Sequence, residues 1–183
     1  AAVIEMGISD FGEMSRLAKM VHPTMAVYTL IGHAHLEHLH DRNGVLKAKT
    51  EMLDYMPEDG TLFLNGDDDL LSTLDCCQRK VLYGTNANAD VKAENICSSS
   101  FNELSCDIVS GDRRIHVTVP SYGSHMVYAA LEGAAVGIAM GLSDDEIAAG
   151  VAAYEIVGRR ANVTDTGYIT LVDDCYNANP DSV

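Results

Sequence analysis

Short apolar runs alternate with amphipathic stretches along the first third of the chain. Ala1-Ala2-Val3-Ile4, followed by Glu5-Met6-Gly7, reads as a buried strand running into a glycine turn. Met14, Leu17, Met20 and Val21 then recur at helical spacing. Residues 25–31 form a second apolar strand pattern, residues 45–56 a second amphipathic helix, and residues 61–64 a third strand ending at Asn65-Gly66-Asp67. Strand and helix in alternation predict a parallel sheet with helices packed on it. Between residues 80 and 120 the pattern changes. Residues 91–96, 103–109 and 114–119 read as short strands separated by Ser, Asn, Gly and Asp, which predicts a small antiparallel element. Two helices follow. The first lies in the apolar stretch from Met126 to Leu142, which contains Glu132 and is rich in Gly and Ala; it is short for a membrane span and reads as a buried helix. The second opens Ser143-Asp144-Asp145-Glu146, a capping box. A last strand from about residue 168 to 172 runs into Asp173-Asp174. The expected fold class is α/β, a mostly parallel sheet flanked by helices with a small antiparallel β element.

Composition narrows the partners. The 183 residues make one domain, or one domain and a piece of another. With 47% hydrophobic and 21% charged residues the chain can bury a real core. Twelve Lys and Arg against 27 Asp and Glu give a formal net charge of −15, which argues against a nucleic-acid surface or adhesion to acidic lipid and suits a protein that handles cations. Five cysteines without a C-x-x-C pair fit a reducing, cytosolic setting with free thiols, not a cysteine zinc site. The chain opens inside a strand pattern and stops just after Asn177-Ala178-Asn179-Pro180, so a fragment of a longer protein is expected.

In doubly wound sheets ligands bind beyond the carboxyl ends of the strands. The polar residues at those ends are Glu5, residues 29–35, Asn65 with Asp67, Asp68 and Asp69, and Asp173-Asp174. The three aspartates read as caps of a following helix. Glu5 does not, because a carboxylate directly after a buried Ala-Val-Ile run needs a partner. At ~100° per residue, Val45, Met52, Leu53 and Met56 fall within about 100° of one another, Lys49 lies inside that stripe, and Lys47 points the opposite way. A lysine on an inward face either snorkels or is functional, and burial can make its amine a neutral nucleophile. His33, His35, His38 and His40 are four of the seven histidines, but their spacing suits zinc poorly, and His33, His38 and His40 read as solvated loop residues.

Taken in order, Glu5-Met6-Gly7 with Gly12-Glu13, Ala34-His35-Leu36-Glu37, Ala48-Lys49-x-Glu51, Leu64-Asn65-x-Asp67-Asp68, Gly158-Arg159 and Asp173-Asp174-x-Tyr176-Asn177-Ala178-Asn179-Pro180 resemble the motifs of the Mur ligases over nearly the whole chain. The last motif most resembles the type that adds D-alanyl-D-alanine to a UDP-N-acetylmuramoyl tripeptide. The resemblance implies an ATP-dependent amide ligase of peptidoglycan precursor synthesis, cytoplasmic and monomeric, working through an acyl phosphate with magnesium on the phosphates. It implies that Glu5 and His35 hold a magnesium ion together with Lys49, which the family carbamylates with CO2. It places Arg159, Asp174 and His125 at the nucleotide, with Tyr176, Asn177 and Asn179 in the same motif. It implies a central ATP-binding domain over residues 1–157 and the start of a C-terminal domain over residues 158–183.

The sequence departs from the family in four places, one of them Ser9, which stands where the family has Asn after its Glu-Leu-Gly-Met run. No G-x-x-x-x-G-K-[ST] loop is present, and the family places that loop upstream of a strand like Ala1-Ala2-Val3-Ile4. The second strand end reads Thr29-Leu30-Ile31 where the family has Thr-Asn-Ile. The helix that carries two Asn in the family reads His125-Met126-Val127-Tyr128-Ala129-Ala130-Leu131. The chain alone is therefore expected to be inactive. Other readings are a non-catalytic module of the same fold, a folylpolyglutamate or cyanophycin synthetase-like ligase, and a histidine-cluster zinc hydrolase.

Overall fold

The computed structural model describes residues 1–100, 103–121, 123–155 and 162–174. Two compact units divide between Val81 and Leu82. The class is the expected one: mixed α/β, with a six-stranded, mostly parallel sheet flanked by helices and a separate two-stranded antiparallel sheet.

In the first unit, α1 (Glu13–Val21), β1 (Met25–Tyr28), α2 (Leu36–Leu39), α3 (Arg42–Thr50), one 3-10 helix (Glu51–Tyr55) and β2 (Thr61–Asn65) follow in order. β1 and β2 pair in parallel from Met25↔Thr61 to Tyr28↔Leu64. Leu62, Phe63 and Leu64 are all fully buried, the continuous apolar signature of a strand covered on both faces. The Asp41 carboxylate accepts from Gly44 N at 2.8 Å and starts α3 three residues before the expected point. A Cβ on Gly44 would lie 1.8 Å from the Leu39 carbonyl oxygen, so the passage from α2 into α3 requires glycine.

Four expectations are corrected here. Residues 1–8 form no strand, and Val3 is fully exposed: an apolar run becomes a strand only where a neighbour completes its ladder. Glu5 is therefore exposed, not a buried carboxylate in search of a partner. β1 ends at Tyr28, not at residue 31, because the backbone of Thr29 and Ile31 bonds to side chains instead of a strand. In α1 the buried positions are Met14 and Ala18, and Met20 is 74% exposed.

β3 (Arg79–Gly84) begins in the first unit and ends in the second. Its second half pairs in parallel with β4 (Val91–Ser100) at Tyr83↔Val91 and Gly84↔Lys92. β5 (Glu103–Ser110) and β6 (Arg113–Val119) continue antiparallel, as the sequence predicts. The β4–β5 register shifts between Glu94 and Cys97, where Asn95 has φ 52°. Leu104, Cys106 and Ile108 point inward and α4 (Met126–Ala139) packs on this face. Glu132 of α4 accepts a hydrogen bond from the Tyr83 hydroxyl at 2.9 Å. α5 (Asp144–Ala152) carries the expected capping box, with Ser143 and Glu146 bonding reciprocally. β7 (Asn162–Asp165) and β8 (Thr170–Asp173) pair as an antiparallel hairpin.

Candidate functional site

The helical period places Lys49 correctly. Along α3, Val45 and Ala48 are buried, Lys49 is half-buried and Lys47 is exposed. Lys47 instead lays its ammonium 5.9 Å from the centre of the Phe11 ring. Among the described residues Lys49 makes no ion pair, and burial lowers its amine below the ordinary lysine range, opposed by the negative charge of Asp68. The Lys49 carbonyl is also tied down: it accepts from the Tyr28 hydroxyl at 3.1 Å. Burial pushes that phenol far above its usual pKa, so it remains a donor.

His35 sits at the N-cap of α2 with φ 58° and ψ 30°, in the left-handed region that a residue with a Cβ adopts only under constraint. The constraint is visible in the segment before it. Asn65 Nδ2 donates to the Thr29 carbonyl at 2.9 Å. The Ile31 amide donates to Asp68 Oδ2 at 2.9 Å, and Arg42 Nε donates to the Ile31 carbonyl at 2.7 Å. Asp68, only 4% exposed, also accepts from the Leu70 and Leu71 amides at 2.9 Å through Oδ1 and lies 3.5 Å from Arg42 Nη2. Arg42 forks onto Asp69 as well, and that hydrogen bond holds the Asp69 carboxyl below the usual range. The capping expected of the aspartates is real at Asp68, but it caps a turn, not a helix.

Glu5 lies on the irregular segment that precedes α1, exposed and without a side-chain hydrogen bond among the described residues. Downstream of it the chain is fixed to the end of α3. Glu51 accepts from Gly12 N at 2.9 and 3.0 Å, from Ser15 N at 3.2 Å and from Ser15 Oγ at 3.1 Å. Glu51 therefore caps α1, whose own N-cap residue, Gly12, offers no side chain. The first unit thus carries Glu5, His35 and Lys49 on three segments. Sequence reasoning missed Arg42 and gave Glu51 and Asp68 no such roles. A carboxylate two residues beyond an inward lysine is the only trace Glu51 leaves in the sequence.

In the second unit His125 is exposed at the N-cap of α4, and its ring lies against Gly123, where a Cβ would come within 2.5 Å of it. Gly123 has φ 91°, so no other residue suits the turn. Asp174 is exposed just beyond β8. Arg159, Tyr176, Asn177 and Asn179 lie outside the described residues, as does the expected domain boundary at residue 157. Among the described residues no three His, Cys, Asp or Glu side chains group closely enough to hold a metal, so the histidine-cluster zinc site has no support. Cys76, Cys77, Cys97 and Cys106 are free thiols, and burial pushes Cys106 up to about 11. No helix among the described residues is long and apolar enough to cross a membrane.

Residues 1–137 match the family model of the Mur ligase middle domain. The chain is 33% identical over 184 residues to the UDP-N-acetylmuramoyl-tripeptide–D-alanyl-D-alanine ligase of Bacillus subtilis, covering all of this chain and 39% of that protein. It is 34% identical over 188 residues to the Escherichia coli ligase of the same name, again covering all of this chain and 41% of the relative. A crystal structure of MurF from Acinetobacter baumannii superposes with a TM-score of 0.89 at 26% identity, over 98% of this chain and 40% of that one. MurF from Thermotoga maritima, solved in complex with ADP, shares the fold with a TM-score of 0.82 at 23% identity, over 95% of this chain and 40% of that one. The chain spans about two fifths of the length of the curated relatives it matches.

Proposed function

The chain belongs to the Mur ligase family, and from that premise we propose that it is the central domain of an ATP-dependent, cytoplasmic amide ligase that joins D-alanyl-D-alanine to a UDP-N-acetylmuramoyl tripeptide. The observation that carries the reading is Lys49: an amine on the inward side of its helix, lowered by burial and without an ion pair among the described residues. A neutral amine adds to the carbon of CO2, loses a proton and becomes an anionic carbamate. That group, with the Glu5 carboxylate and the His35 imidazole, would hold magnesium. The donor set fits a hard cation that keeps several waters, since two of its three groups offer anionic oxygen and Glu5 and His35 are exposed. Bound magnesium supplies charge neutralisation to the ATP phosphates and the acceptor carboxylate.

In the proposed reaction the tripeptide carboxylate takes the γ-phosphoryl group of ATP and ADP leaves. The amine of D-alanyl-D-alanine attacks the acyl phosphate, an amide forms and phosphate departs. Asp174 and Arg159, with His125, Tyr176, Asn177 and Asn179, are the proposed nucleotide contacts. Residues 1–157 form the proposed ATP-binding domain, and residues 158–183 open the C-terminal one, in a monomer. The 33% and 34% identities to two ligases of this name support the substrate pair. The test is ADP release by a full-length form of the protein. Release that needs both the UDP-linked tripeptide and D-alanyl-D-alanine supports the proposal. Release with other amines or acceptors, or none, rejects it.

A further inference from the structure

We infer that Asp68, together with Arg42, is a positioning residue that fixes His35 for its metal, an inference that rests on the reading of His35 as a magnesium ligand. Three observations converge. His35 holds a left-handed backbone, φ 58°, at the start of a helix of four residues, which is too short to impose that conformation by itself. Four residues earlier, Ile31 is gripped through the peptide groups on both sides of its Cα: its amide donates to Asp68 Oδ2 at 2.9 Å and its carbonyl accepts from Arg42 Nε at 2.7 Å. The gripping residues belong to the elements that frame the site. Arg42 opens α3, the helix that carries Lys49, and Asp68 follows the end of β2, where Asn65 holds Thr29. Ile31 itself is 1% exposed, so its amide cannot turn to water if the carboxylate is lost. Asp68 divides its two oxygens between tasks: Oδ1 caps its own turn at the Leu70 and Leu71 amides, and Oδ2 serves Ile31 and faces Arg42.

That division makes a selective variant available. Asp68→Asn keeps a carbonyl oxygen for the turn and sets an amide NH2 against the Ile31 N–H and the Arg42 guanidinium. Donor then faces donor and the grip opens, while the side-chain volume is unchanged. Arg42→Met is the second variant; it removes the donor to the Ile31 carbonyl from a half-buried position and leaves the turn capped.

The experiment has two readouts. In the 183-residue chain, amide hydrogen exchange and backbone chemical shifts are read by NMR. Asp68→Asn is expected to speed exchange at Ile31 by about tenfold or more and to move His35 out of the left-handed region, with Val27 and Phe63 still protected. In the full-length protein the same variant is expected to raise the Mg2+ concentration for half-maximal rate by roughly tenfold, with KM for ATP little changed, because groups that orient a metal ligand without touching the metal tune its affinity by that order. Arg42→Met is expected to shift both readouts the same way. Unchanged Ile31 exchange and unchanged His35 shifts in both variants overturn the inference. So does a loosened His35 with unaltered Mg2+ dependence. His35→Ala, run alongside, separates the two readings: if it too leaves the Mg2+ dependence unaltered, the assignment of His35 falls with the inference, and if it alone shifts that dependence, only the role of Asp68 falls.

Discussion

Glu51→Ala is expected to destabilise the chain although it removes no core atom. Gly12 gives α1 no side-chain cap, and the Glu51 carboxylate, 36 to 39 residues away in sequence, takes that place with contacts to Gly12 N, Ser15 N and Ser15 Oγ. Loss of a helix cap costs about 1 kcal/mol, within a range of roughly 0.5–2. Loss of a negative charge at the helix N-terminus adds about 0.3–1 kcal/mol. The sum is about 1.3–2 kcal/mol for alanine, by the same estimates. Glu51→Gln keeps an acceptor and loses only the charge, so its cost stays below about 1 kcal/mol. With an m-value of about 2 kcal/mol per molar urea, alanine shifts the unfolding midpoint down by about 1 M and glutamine by less than about 0.5 M. Urea titration followed by far-UV circular dichroism reads both. Added salt should narrow the gap between glutamine and wild type, since the charge contribution is screened and the hydrogen bonds are not. An alanine variant within about 0.3 kcal/mol of wild type, or a glutamine variant as damaged as alanine, would refute the capping role.

Three further outcomes are expected. Burial raises the Glu132 carboxyl, offset in part by the Tyr83 hydroxyl, so the folded state holds its proton to higher pH than the unfolded chain; that contribution is full below the unfolded value and lost as pH rises through the folded one. Glu132→Gln should remove this slope and raise Tm at pH 7 by about 1–3 °C, read by thermal melts from pH 4 to 8. Lys49 shifts the other way for a base: its lowered amine makes the folded state shed its proton first, so stability rises as pH climbs through the folded value towards 10.5. Lys49→Met should flatten that rise and leave the chain more stable at pH 7 by up to about 1 kcal/mol, since it removes the cost of burying the amine. The 183-residue chain by itself should release no ADP from ATP, because its sequence has no loop to cradle the β- and γ-phosphates; a coupled ADP assay showing turnover that Glu5→Ala abolishes would contradict this.

The parts of the fold set by local periodicity were legible in the sequence. The inward Lys49 and outward Lys47 follow from a 3.6-residue repeat, and the start of α5 follows from Ser143 and Glu146 alone. What depends on distant partners was not. Ala1-Ala2-Val3-Ile4 has the composition of a strand, but pairing decides whether such a run becomes one. The end of β1 is set by Asn65, Asp68 and Arg42, whose bonds to Thr29 and Ile31 no spacing rule anticipates. β3 escaped notice because it opens with Arg79-Lys80, which masks the short apolar run behind them. For the proposed site, the sequence offered Glu5, His35 and Lys49 as candidates, and the carboxylates and guanidinium that hold the segments of His35 and Lys49 came only from the structure.

Whether Lys49 is the carbamylated ligand of an ATP-dependent ligase is decided most directly in the full-length protein, by the rate of ADP release with the UDP-linked tripeptide and D-alanyl-D-alanine present. Lys49→Ala should abolish that rate, a short-chain carboxylic acid added in solution should restore part of it by standing in for the missing carbamate, and Lys47→Ala, on the exposed face of the same helix, should leave it unchanged. A Lys49→Ala variant that turns over at the wild-type rate would contradict the assignment and return Lys49 to the role of a snorkelling surface lysine.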